Sequence, residues 1–107
     1  MSKRVRASIV VGAVLALAST AAGAQSPGEA VYRQKCQTCH GADGMASSGV
    51  GKVMKVKPIG NPEVKKLTEA EMIQMTRDGV AKMQAYKGEL TDAQIKASVV
   101  YFRTFLK

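Results

Sequence analysis

Both cysteines of the chain and its single histidine fall within five residues, Cys36-Gln37-Thr38-Cys39-His40. Thiols three residues apart share one face of a helical turn, and the residue after the second can turn its imidazole toward whatever the thiols hold. A C-x-x-C-H run is the attachment signature of a c-type haem: each thiol adds to a vinyl group, and the histidine becomes the proximal iron ligand. C-x-x-C also serves as a redox disulfide or as half of a zinc site. Zinc needs a fourth ligand, and no further Cys or His exists to supply it. A thioredoxin-like motif belongs in a βαβ context, whereas this sequence is punctuated as helices and loops. The expected cofactor is one covalent haem c, attached at Cys36 and Cys39 with its iron on His40.

With no second histidine, a bis-histidine site cannot form within one molecule, and methionine becomes the leading sixth ligand. Beyond Met1 the candidates are Met45, Met54, Met72, Met75 and Met83. Met72 and Met75 lie inside a predicted helix, where a flexible apolar side chain fills core. Met45 is only five residues from His40, too close to travel easily round a porphyrin edge. Met83 sits in a loop between two capped helices and is the preferred distal ligand. Met54, in the long loop, is the runner-up, and an open or Lys-ligated site is the remaining alternative.

The elements that must position these groups announce themselves by capping boxes, in which a hydroxyl and a Glu or Gln three residues on satisfy each other's backbone donors. The pairs are Ser26 with Glu29, Thr68 with Glu71, and Thr91 with Gln94. Pro27 strengthens the first, which launches a helix toward the cysteines. The second spans roughly Glu69 to Asp78 and is closed by Gly79. The third carries an apolar stripe, Ile95, Val99, Phe102 and Leu106, at i, i+4, i+7 and i+11, and is expected to reach the C-terminus. Between His40 and Thr68 the sequence reads as loop with at most a short helical turn, long enough to wrap one edge of a haem.

Lys3, Arg4 and Arg6, the apolar run Ala7 to Ala18 and the A-x-A site Ala22-Gly23-Ala24 read as a cleaved secretory signal over residues 1–24, the alternative being a retained anchor. The remaining domain, 25–107, has 83 residues, small enough to need a staple that a covalent haem provides. It carries thirteen Lys and Arg against eight Asp and Glu, a formal +5, which favours acidic partners. Nucleic acid is not expected, since the chain is exported and its lysines are dispersed.

Together these features resemble the class I monohaem cytochromes c over essentially the whole of residues 25–107. Gly28, Tyr32 and Tyr101 are similar to the family's positions where the terminal helices cross. Gly79-Val80-Ala81-Lys82-Met83-Gln84-Ala85-Tyr86, followed by Leu90-Thr91-Asp92, is similar to its distal ligand loop. Gln84 stands where the family commonly has Pro, and Pro58 is the one plausible carbonyl acceptor for the proximal imidazole. The resemblance implies an all-α fold of three main helices and long loops around one haem. It also implies a monomeric periplasmic electron carrier that is not an enzyme, with Fe(III)/Fe(II) as its chemistry.

Lys82 and Lys87 flank Met83, and Lys35, Lys52, Lys55 and Lys57 lie near the attachment motif or in the long loop. Such a rim suits an acidic redox protein, with membranes met only through a membrane-bound partner. The competing class is a haem-based ligand-binding or peroxidase-like protein with a labile sixth ligand. The peroxidase version needs a distal acid or base, which no second histidine supplies.

Overall fold

The computed structural model describes residues 9–13 and 25–106. The basic start, most of the apolar run and the Ala22-Gly23-Ala24 junction of the expected export signal lie outside the described residues. The first helix among the described residues is α1 (Pro27–Lys35), which a break at Cys36 separates from α2 (Gln37–His40). Then come α3 (Gly49–Val53), α4 (Pro62–Lys65), α5 (Glu69–Asp78) and α6 (Asp92–Arg103). The described residues are all-α; their nearest approach to a strand is an isolated bridge between Val80 and Met83.

Two of the three expected capping boxes form in full. Thr68 Oγ1 accepts from Glu71 N at 3.1 Å while Glu71 accepts from Thr68 N at 2.9 Å, and Thr91 with Gln94 repeats those distances. At α1 only half the box is made. Ser26 Oγ accepts from Glu29 N at 3.2 Å, but the Glu29 carboxylate turns down the helix to Arg33, whose two donors at (i, i+4) outbid one backbone N–H.

The core lies where α1 crosses α6. Gly28 makes this possible, since a Cβ there would stand 2.1 Å from the Ala97 carbonyl oxygen. The close approach buries Tyr32, Ile95 and Val99. Tyr101, Phe102 and Phe105 gather round the Tyr32 ring at centroid distances of 5.3, 6.0 and 5.6 Å. Helix α5 packs on the other side of α6 through Met72 and Thr76, and Arg103 reaches back to the Leu67 carbonyl at 2.9 Å.

Two expectations need correction. Helix α6 stops at Arg103 instead of running to the C-terminus. Phe105 N and Leu106 N bond three residues back, to Phe102 and Arg103, and this tighter winding swings Phe105 onto Tyr32. The segment from Gly41 to Leu67 holds two short helices where at most one turn was expected. Each is started by a local side chain: Ser48 Oγ accepts from Gly51 N at 3.0 Å, and Asn61 Oδ1 from Glu63 N at 2.9 Å, with Pro62 at the first helical position.

Candidate haem site

Cys36, Cys39 and His40 share the short α1–α2 corner. Cys36 takes φ −117°, and the helix is re-registered there: Cys39 N and His40 N both bond the Cys36 carbonyl, at 3.2 and 2.9 Å. Gly41, at φ 82° and ψ 161°, ends the corner in a conformation that essentially only glycine adopts. Its carbonyl accepts the buried Tyr32 hydroxyl at 2.6 Å, which ties the corner to the core. From the other side, Ser48 Oγ donates to the Thr38 carbonyl at 2.7 Å. A Cβ on Gly51 would come within 2.5 Å of the Cys39 carbonyl oxygen, so α3 lies directly on the motif.

The corner presents two thiols and one imidazole. Both cysteines are unpaired, and burial, with a smaller contribution from Cys39, pushes the Cys36 thiol up to about 11. Burial likewise holds the His40 imidazole below the usual histidine range, in the neutral form that binds metals. Its Nδ1 is buried with no hydrogen-bond partner, and Phe102 meets the ring edge-on at 5.3 Å. Pro58 is not the acceptor expected for that nitrogen: its carbonyl instead takes the Asn61 N–H at 2.9 Å, closing the turn into α4. Among the described residues no group of three His, Cys, Asp or Glu side chains is placed to hold a bare metal ion. Two surface clefts, one between α1 and α3 and one beside Phe105, are lined by other residues.

The methionines separate by environment. Met72 is core, with Arg103 Nη1 3.8 Å from its sulfur. Met45 is half exposed beside Asp43, and Met54 caps α3. Met83 is partly buried at the end of a tight turn, closed by Val80 N to Met83 O at 3.1 Å and Met83 N to Val80 O at 2.8 Å, with Ala81 at φ 51°. Gly79 seats that turn, since a Cβ there would lie 2.9 Å from both Met83 O and Ala85 N. Tyr86 then joins the loop to the attachment corner: its hydroxyl donates to the Lys35 carbonyl, next to Cys36, at 3.0 Å. Glu89 stands 3.8 Å from Lys35 Nζ on the same side. The sequence assigns no role at the corner to Gly51, marks Phe102 only as part of the apolar stripe and Tyr86 only as the end of the loop segment, although an aromatic three residues beyond a loop methionine is a usable signal for the last.

The family model described as cytochrome c oxidase, cbb3-type, subunit III matches residues 23–102. The chain belongs to this family of c-type cytochromes. It is 36% identical over 90 residues to the dihydro-heme d1 dehydrogenase of Pseudomonas aeruginosa, a match covering 81% of this chain and 17% of that protein. Among solved structures, the KustC0563 c-type cytochrome matches with a TM-score of 0.67 at 30% identity, over 75% of this chain and 98% of its own. A tyrosine-to-phenylalanine mutant of the same cytochrome gives 0.66 at 28%, over 75% and 99%. The fold is thus that of a small c-type cytochrome, its cofactor is covalently bound haem c with iron, and its broad role is haem-based electron transfer. The corner fits such a group: it carries two unpaired thiols and, next in sequence, an imidazole whose Nδ1 is buried without a partner.

Proposed function

We propose that this cytochrome is a periplasmic one-electron carrier, with residues 1–24 as a cleaved export signal and 25–107 as the working domain. In this reading Cys36 and Cys39 supply the thioether sulfurs, His40 the proximal nitrogen and Met83 the distal sulfur. The observation that carries it is the fastening of the Met83 loop to the attachment corner through Tyr86 and the Lys35 carbonyl. It ties the loop that carries Met83 to the residue before Cys36, which supports Met83 over the other methionines. The start of the family match at residue 23 supports the domain boundary.

Bound haem supplies the Fe(III)/Fe(II) couple, and methionine opposite histidine raises its potential. The chain's own part would be to hold the iron through His40 and Met83, leaving no position for substrate, and to surround the corner with charge. Lys35, Lys82 and Lys87 lie on or beside the latched loop, where they attract an acidic redox protein at rates that fall with salt. The dehydrogenase relative is matched over only 17% of its length, so its named activity is not carried over to this chain. The test is carbon monoxide binding to the reduced protein. Slow, incomplete binding is expected, and fast stoichiometric binding means an open site and a ligand-binding or enzymatic role.

A further inference from the structure

Helix α1 ends in an uncommon way. In a continuous helix the Lys35 carbonyl would accept from Cys39 N, but the break at Cys36 redirects that donor to the Cys36 carbonyl, 3.2 Å away. The freed acceptor is the one that takes the Tyr86 hydroxyl, at 3.0 Å and across 51 residues of sequence. The bond is exposed, so water competes for that carbonyl, and the phenol holds the loop by the net strength of one hydrogen bond across 51 residues.

Tyr86 also closes the base of the Met83 loop. Its N–H donates to the Thr76 carbonyl at 3.0 Å and that of Lys87 to Arg77 at 3.2 Å, both acceptors being orphan carbonyls of the last turns of α5. One residue therefore clips the loop to α5 by its backbone and to the haem-attachment corner by its side chain. The proline that often stiffens such a loop after the methionine is absent, Gln84 being there instead. The remaining tie on this side, Lys35 to Glu89 at 3.8 Å, is an exposed ion pair worth little.

We propose that Tyr86 is a positioning residue for the sixth ligand, its phenol latching the Met83 loop to the Lys35 carbonyl beside Cys36. The proposal rests on Met83 being that ligand. With the latch made, the loop spends little time away from the iron; with it cut, the loop opens more often and the sixth position admits small ligands. The lability of the site is thus set by one hydroxyl that touches neither iron nor haem.

The experiment is cyanide titration of the oxidised holoprotein as wild type, Tyr86→Phe, Arg103→Leu and Met83→Ala. Tyr86→Phe keeps the ring and should fold. Its apparent cyanide affinity should rise about tenfold, the factor that corresponds to ~1.4 kcal/mol, with a weaker thioether-to-iron charge-transfer band. Arg103→Leu loses an equally distant tie, to the Leu67 carbonyl, and should lower the melting temperature while cyanide affinity stays at the wild-type value. Wild-type affinity in Tyr86→Phe, or an equal rise in Arg103→Leu, overturns the latch. Met83→Ala separates the two readings. If it loses the band while Tyr86→Phe binds cyanide like wild type, the latch fails and the ligand stands; if it keeps the band, the ligand assignment fails and the latch with it.

Discussion

Replacing Gly28 by alanine sets two effects of opposite sign against each other. Position 28 is inside α1, where alanine is intrinsically better than glycine by about 1 kcal/mol. If only propensity mattered, Gly28→Ala would stabilise the protein. The new Cβ, however, would lie 2.1 Å from the Ala97 carbonyl oxygen and 2.7 Å from its carbon. That is roughly 1.2 Å inside the ~3.3 Å at which carbon and carbonyl oxygen meet. Backbone on both sides leaves no flexible side chain to yield, so α1 and α6 must part. Separation loosens Tyr32, Ile95 and Val99, the most buried apolar side chains of α1 and α6. Overpacking of this kind costs about 1–3 kcal/mol and more when backbone is the obstacle, so a net loss of about 3 kcal/mol is expected. In a domain of this size that lowers the melting temperature by roughly 12–24 °C. Gly49→Ala is the control, since a Cβ at the start of α3 meets nothing within 4 Å. Thermal unfolding of the two holoproteins decides the matter. A Gly28→Ala protein as stable as wild type, or more so, refutes the packing argument.

Tyr32→Phe should cost about 1–3 kcal/mol in denaturant unfolding, because the buried Gly41 carbonyl loses its donor. Burial raises the Tyr32 and Tyr86 phenols above the ordinary value of 10.0, so the folded protein keeps protons that the unfolded chain releases. The stability this gives is complete below pH ~10 and is lost as pH rises beyond it, and Tyr32→Phe should flatten that alkaline decline. Charge reversal at Lys82 or Lys87 should slow reaction with an acidic redox protein more than reversal at Lys96, on the outer face of α6, and the difference should shrink as salt rises, the Debye length being ~8 Å at physiological ionic strength. Equal slowing at all three reduces the rim to a net-charge effect. Arg103 is unsuitable as the distant control, since it holds the Leu67 carbonyl and reversal there would disturb the fold.

What the sequence made legible was local. Thr68 with Glu71, Thr91 with Gln94 and Gly79 each settle a helix boundary from within a few residues, and α5 has the expected limits. Cys36, Cys39 and His40 are contiguous, so no folding was needed to bring them together. What escaped depends on distant groups. The end of α6 is set by Phe105 turning onto Tyr32, 73 positions away in sequence. Glu29 leaves Ser26 for Arg33, a competition between two partners that a pattern of one pair does not contain. The family resemblance points to Pro58 as the acceptor for His40, whereas its carbonyl takes the N–H of Asn61 three residues on and His40 Nδ1 has no partner. For the Tyr86 latch the sequence offers the aromatic but not its partner, since the acceptor is a carbonyl freed by the break at Cys36 and any residue type would supply it.

The thioether-to-iron charge-transfer absorption of the oxidised protein tests most directly whether His40 and Met83 together close the iron site. The band should be present in wild type, survive in Met54→Ala and vanish in Met83→Ala, with a fall in reduction potential and ready cyanide binding in the last. A band that persists in Met83→Ala and disappears in Met54→Ala would place the distal ligand in the long loop, and a wild-type protein with no such band would contradict methionine ligation altogether.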